Sequence, residues 1–101
     1  MEREKENKEY CKRVVDEMVE LYEQGILTVY FDDVLDLEYI VNRQKEFVSV
    51  KVFVTLGGPT CWIDTHEKKV KLTWGNEKAS WCIPSDVCDY IDEIFQEIYE
   101  C

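Results

Sequence analysis

The chain has 101 residues, 12 of them basic and 22 acidic, for a formal net charge of −10, with 46% hydrophobic and 13% aromatic residues. That length fits one small domain over residues 1–101, and the apolar content excludes a disordered tail. No apolar run approaches the roughly 18–20 residues that span a bilayer, and Met1–Arg13 carries charge throughout, unlike a secretory signal. A chain this acidic is disfavoured as a direct binder of DNA, RNA or an anionic membrane, because each would meet like charge.

Residues 2–24 repeat apolar side chains at helical spacing (Cys11, Val14, Val15, Met18, Leu21, Tyr22), with Gly25 placed to end the helix. The run 26–31 is apolar but too short for its period to be read. Asp32 and Asp33 then offer a capped start to a helix over 32–42, with Val34, Leu37, Ile40 and Val41 toward the core. From Phe47 the period changes to two. Val48, Val50, Val52, Val54 and Leu56 occupy one face of a strand, and Gly57-Gly58-Pro59 ends it. Thr60–Thr65, a third strand carrying Val70, Leu72 and Trp74 inward, and Ala79–Ile83 complete a four-stranded antiparallel meander over 47–83. Ser85 caps a helix over 85–100, whose Val87, Cys88, Ile91, Ile94, Phe95, Ile98 and Tyr99 give the strongest periodic signal. The expected fold is α+β in two layers, ordered α-α-β-β-β-β-α, with the helices packed on one face of the sheet.

The cysteines (Cys11, Cys61, Cys82, Cys88, Cys101) are odd in number and show no C-x-x-C spacing. They read as reduced thiols, most of them small buried hydrophobes, in a cytoplasmic protein. His66 is the lone histidine and lies in an expected hairpin loop. No nucleophile and base can be assigned around it, so no catalytic residue and no cofactor is implied. Asp32, Asp33 and Asp36 lack calcium-loop spacing and offer at most a weak cation cluster, so no metal ligand is assigned.

Charge is the informative feature. Residues 1–43 carry 12 acids against 6 bases, residues 44–84 carry 4 against 6, and residues 85–101 carry 6 acids and no base. Charge runs usually make a solvated helix face. A face built for solubility alone, however, would mix signs to gain i,i+4 pairs of about 0.2–0.5 kcal/mol each. Here Asp89 and Glu93, and Glu93 and Glu97, set like charges at that spacing. The solvated face and the functional face stand as equal readings. On the functional one, Asp86, Asp89, Asp92, Glu93, Glu97 and Glu100, joined by Asp16, Glu17, Glu20 and Glu23, meet a basic partner surface. A rival surface lies on the sheet. The strand alternation points Phe47 and Phe53 away from the helices, with Trp62, Lys51 and Lys71 beside Phe53, the composition of a protein contact or homodimer interface.

Thr55-Leu-Gly-Gly-Pro-Thr-Cys-Trp-Ile-Asp-Thr65, then Thr73-Trp-Gly75, then an acidic terminal helix, resemble small proteins of bacterial phages and mobile elements over the second half of the chain. The general form is similar in type to anti-CRISPR and anti-restriction inhibitors. That resemblance implies a non-enzymatic inhibitor in the bacterial host cytoplasm, whose carboxylates occupy the nucleic-acid groove of a CRISPR effector or other nuclease. A small enzyme or ligand-binding domain with an unrecognised site is the remaining alternative.

Overall fold

The computed structural model describes residues 2–33 and 36–100, with the side chains of residues 2, 3 and 33 left out of account. Helix α1 spans Glu2–Glu23 and buries Asn7, Cys11, Val14, Val15 and Met18 along one stripe. Gly25, at φ 75°, ends it. The Gly25 N–H donates to Tyr22 O (3.0 Å) and the Ile26 N–H to Leu21 O (2.9 Å), the paired bonds that satisfy the last carbonyls of a helix. A 3-10 segment, Leu27–Asp33, follows and buries Leu27 completely.

Residues 36–41 form a strand, not the expected helix. Strand β1, Asp36–Val41, pairs antiparallel with β2, Phe47–Thr55. Leu37, Ile40 and Val41 fit a helical stripe, yet Leu37 and Tyr39 also alternate with Asp36 and Glu38, and six residues cannot separate the two periods. The hairpin decides it. The Asn42 N–H donates to Glu46 O (3.0 Å), and Asn42 Oδ1 accepts from the N–H groups of Gln44 (3.0 Å) and Glu46 (2.9 Å). Lys45 takes the left-handed conformation at φ 65°. Leu37 is half-buried against the core, whereas Ile40 lies on the other sheet face and Val41 is exposed. Val34 falls outside the described residues.

Strands β3 (Thr60–Asp64), β4 (Lys69–Trp74) and β5 (Glu77–Cys82) continue the meander, so the sheet has five strands rather than four, in the order β1-β2-β3-β4-β5. Helix α2, Ser85–Glu100, returns across the same face as α1. Its first bond runs from the Cys88 N–H to Pro84 O (3.1 Å). Pro84 is therefore the capping position, and Ser85, the expected cap, is the first helical residue, its hydroxyl accepting from Lys68 Nζ (3.3 Å).

Inside, Val50, Val52, Cys61, Ile63, Val70 and Leu72 meet Cys11 and Met18 of α1 and Val87, Cys88, Ile91 and Phe95 of α2. α1 lies over β4 and β5, and α2 lies over β2. Phe31 reaches α2 edge-on at Phe95, with ring centroids 5.2 Å apart. Cys11 of α1 and Cys61 of the central strand are both fully buried in this core, and Cys11, Cys61, Cys82 and Cys88 are free.

The alternation along β2 holds at Val50 and Val52 and breaks at both ends. Ile40 opposes Ser49 and Val41 opposes Phe47, so Val48 is the extra residue of a bulge and is 42% exposed. The bulge turns Phe47 onto the helix face, where it meets Tyr39 and Tyr99, each 6.2 Å away, contrary to the outward placement that the pattern predicts. Leu56, also read as inward, is exposed beyond the strand end.

Ile91 is fully buried and Ile98 is 55% exposed on the same helix. Ile91→Ala is expected to cost about 2–5 kcal/mol, and Ile98→Ala about 0.5 kcal/mol or less. Urea unfolding of the two variants measures the difference.

Candidate interaction surfaces

With Val87, Cys88, Ile91 and Phe95 committed to the core, α2 leaves Asp86, Asp89, Glu93, Glu97 and Glu100 in one exposed stripe at spacings of three and four. Two shallow clefts, open to solvent, lie between the side chains of the stripe. A groove of about 330 Å³ is lined by Tyr22, Asp86, Asp89, Tyr90 and Glu93, and one of about 430 Å³ by Glu93, Gln96, Glu97 and Glu100. They share Glu93, so the acidic surface runs unbroken along the helix. Over the 14 steps from Asp86 to Glu100, at about 1.5 Å each, it extends about 21 Å, one carboxylate per roughly 5 Å. Among the described residues no ion pair reaches any of the five, though Gln96 Nε2 donates to Glu100 Oε1 (3.1 Å). Asp86 suits the positive helix start, whereas Glu97 and Glu100 sit against the negative end, at about 0.3–1 kcal/mol each.

The acids of α1 divide. Tyr22 packs edge-on against Tyr90 at 5.5 Å, which brings the end of α1 carrying Glu20 and Glu23 to the first half of α2. Asp16 is paired with Lys12 at 3.3 Å, and Glu20 accepts from Gln24 Nε2 at 3.5 Å. Glu17 lies near the Tyr10 and Tyr30 hydroxyls, whose pKa values are raised chiefly by burial, with this carboxylate adding to the shift. Asp16 and Glu17 therefore stand apart from the α2 stripe. Tyr22 and Tyr90 are the residues the sequence pattern misses, because Tyr22 counts toward the apolar stripe of α1 and Tyr90 belongs to neither the apolar stripe nor the acidic run of α2.

Asp92 also stands apart. It turns toward the β3–β4 hairpin, where Thr65, Lys68, Asp89 and Cys88 surround it, and its Oδ1 is buried without a hydrogen-bond partner. Burial pushes its pKa up and the nearby Asp89 adds to this, while a hydrogen bond from Thr65 and the charge of Lys68 oppose it. The Cys88 thiol is pushed up to about 12, by burial first and then by Asp92. The hairpin itself is held by Asp64 Oδ1, which accepts from the N–H groups of His66 (3.0 Å) and Glu67 (3.1 Å). His66 is exposed, and among the described residues no group of three His, Cys, Asp or Glu side chains could hold a metal ion.

The outer sheet face is a second surface. Cross-strand rows read Asp36–Phe53–Trp62–Lys71–Ser80 and Glu38–Lys51–Asp64–Lys69–Cys82, with Thr60–Thr73–Lys78 beyond. Phe53 and Trp62 sit side by side, ring centroids 6.0 Å apart and planes 33° apart, on the face away from both helices. A groove of about 310 Å³ opens among Trp62, Glu67, Lys69, Lys71, Thr73, Lys78 and Ser80. Glu67 forms an ion pair with Lys71. Trp62 Nε1 is buried and makes no hydrogen bond. The alternation along β4 already points Lys69 outward, whereas Lys78 and Ser80 join this face only once the pairing of β5 is known.

Because the folded-state pKa of Asp92 lies above its unfolded value, its charge opposes folding. The cost is absent below the unfolded pKa and complete once pH exceeds the folded one. Asp92→Asn is expected to raise Tm at pH 7, with the gain disappearing near pH ~3.5, below the unfolded value. Paired thermal melts across that range measure it. Comparison with known protein families, curated proteins and solved structures finds no match for this chain.

Proposed function

We propose that the protein is a non-enzymatic, anti-CRISPR-type inhibitor that places its acidic α2 surface in the basic nucleic-acid groove of a bacterial defence complex. The observation that carries this reading is the stripe Asp86–Asp89–Glu93–Glu97–Glu100, uniform in sign and without ion pairs among the described residues. Its repeat of roughly 5 Å per charge is of the same order as the 3.4 Å per phosphate of one DNA strand. Like charges at i,i+4 and acids at the helix C-terminus each weaken α2 by a few tenths of a kcal/mol or more. A partner lined with lysine and arginine turns the same charges into attraction and speeds encounter. Tyr22 and Tyr90 supply aromatic contact at one end of the stripe, the residue class that anchors interfaces. Glu20 and Glu23 extend the negative field from α1.

A second reading, an interaction module binding through Phe53 and Trp62, has the paired rings in its favour.

The test is DNA cleavage by guide-loaded CRISPR effectors and by restriction nucleases, with and without the protein. Inhibition is expected to fall steeply between about 50 and 200 mM salt. The double reversal Glu93→Lys with Glu97→Lys is expected to weaken it by about tenfold or more while leaving the melting temperature of the free protein unchanged or higher, since both changes suit the helix dipole. Inhibition that neither salt nor the reversal alters would reject the proposal.

A further inference from the structure

A net charge of −10 argues against nucleic-acid binding only if that charge is spread evenly, and here it is not. The acidic stripe lies on the helix layer and the open face lies on the opposite side of the sheet. Solvent ions screen exposed charges beyond about 8 Å at physiological ionic strength, so a ligand on the sheet face meets the lysines there more strongly than the carboxylates across the fold.

The geometry points to the outer sheet face as a binding site for single-stranded nucleic acid, with bases on Trp62 and Phe53 and phosphates on Lys69, Lys71 and Lys78. Three observations meet there. The aromatic pair lies on neighbouring central strands, side by side on the face that the helices leave free. Such rings receive bases of any sequence by stacking. The groove beside Trp62 carries three lysines against one carboxylate, with the hydroxyls of Thr73 and Ser80 placed to hydrogen-bond sugar or phosphate. The acids of this face set the limits of the site. Asp36 and Glu38 line the β1 edge and Asp64 is buried under its turn bonds, so the bound strand runs over β2, β3, β4 and β5 and stops short of β1. An acidic protein segment would use the lysines but has no need of two paired rings. A duplex would keep its bases stacked within itself and unavailable to them.

Glu67 competes with phosphate for Lys71, which makes the site adjustable by one carboxylate. Glu67→Gln frees that lysine and is expected to tighten binding about two- to fivefold. A defect in folding cannot imitate a gain of affinity.

The experiment is fluorescence anisotropy of a labelled 15-nucleotide oligothymidine and oligouridine with the intact protein, alongside a duplex of equal length and a free mononucleotide. Binding of the single strands is expected, weakening about twentyfold between 50 and 200 mM salt for three phosphate contacts. Trp62→Ala is expected to lose about five- to 150-fold, with Trp62→Phe retaining most of the affinity. Lys78→Glu, an exposed change, is expected to weaken binding, and Glu93→Lys with Glu97→Lys on the far face to leave it unchanged, which keeps this result separate from the inhibitor reading. The inference is overturned by no binding at roughly 100 µM protein, the weak end of non-specific affinity. Equal affinity for duplex, binding of the mononucleotide alone, or no effect of Glu67→Gln and Lys78→Glu would overturn it too. So would self-association through this face, abolished by Trp62→Ala, in a protein that leaves the oligonucleotides free.

Discussion

The one-sidedness of the sheet governs the rest of the molecule. Between Val50 and Leu72 the alternating β-branched and apolar residues all face one way, and that face cannot remain in water. Both helices and the 3-10 segment must therefore lie on the same side, α1 over β4 and β5, α2 over β2, with Phe31 reaching across to Phe95. The cost of exposing Val52, Ile63 and Val70 is about 1.5–3 kcal/mol per side chain. That outweighs any few tenths of a kcal/mol lost to crowded charge on α2, which is why an acidic helix can be held in place at all.

From this arrangement the two surfaces follow. A helix that gives Val87, Cys88, Ile91 and Phe95 to the core has one remaining direction for Asp86, Asp89, Glu93, Glu97 and Glu100. A sheet covered on one side has an open side, and the register puts Phe53 next to Trp62 on it. The charge imbalance of the chain thus becomes a polarity of the fold, with carboxylates over the helices and the lysines of β4 and β5 on the far face. The proposed inhibitor function draws on the first surface. The second is free for a different ligand, because binding at one does not obstruct the other.

Much of this was legible before the fold was known. The two-residue period of Val50–Val52, the inward Cys61 and Ile63 with Trp62 opposite, and the stripe of α2 each follow from spacing in segments long enough to show one period. Residues 32–42 mislead because Leu37, Ile40 and Val41 fit a helical stripe while Leu37 and Tyr39 fit an alternation, over a stretch too short to choose. The Asn42–Glu46 turn, whose side chain satisfies its own backbone, carried the missing information. The bulge at Val48 leaves no mark in the spacing because it arises from how β1 pairs with β2, a pairing that a helix over 32–42 excludes. Phe47 was misplaced for the same reason. Asp92 looked like one more member of an acidic run, since its proximity to Thr65 and Lys68 depends on where a distant hairpin lands.

The most direct measurement is capture of host proteins from a bacterial lysate by the tagged chain at about 50 and 200 mM salt, read by mass spectrometry. Recovery of a nuclease or CRISPR complex at low salt, released at high salt, is the predicted result. Capture that resists salt, or recovery of nothing but the bait, would contradict a function carried by the carboxylates of α2.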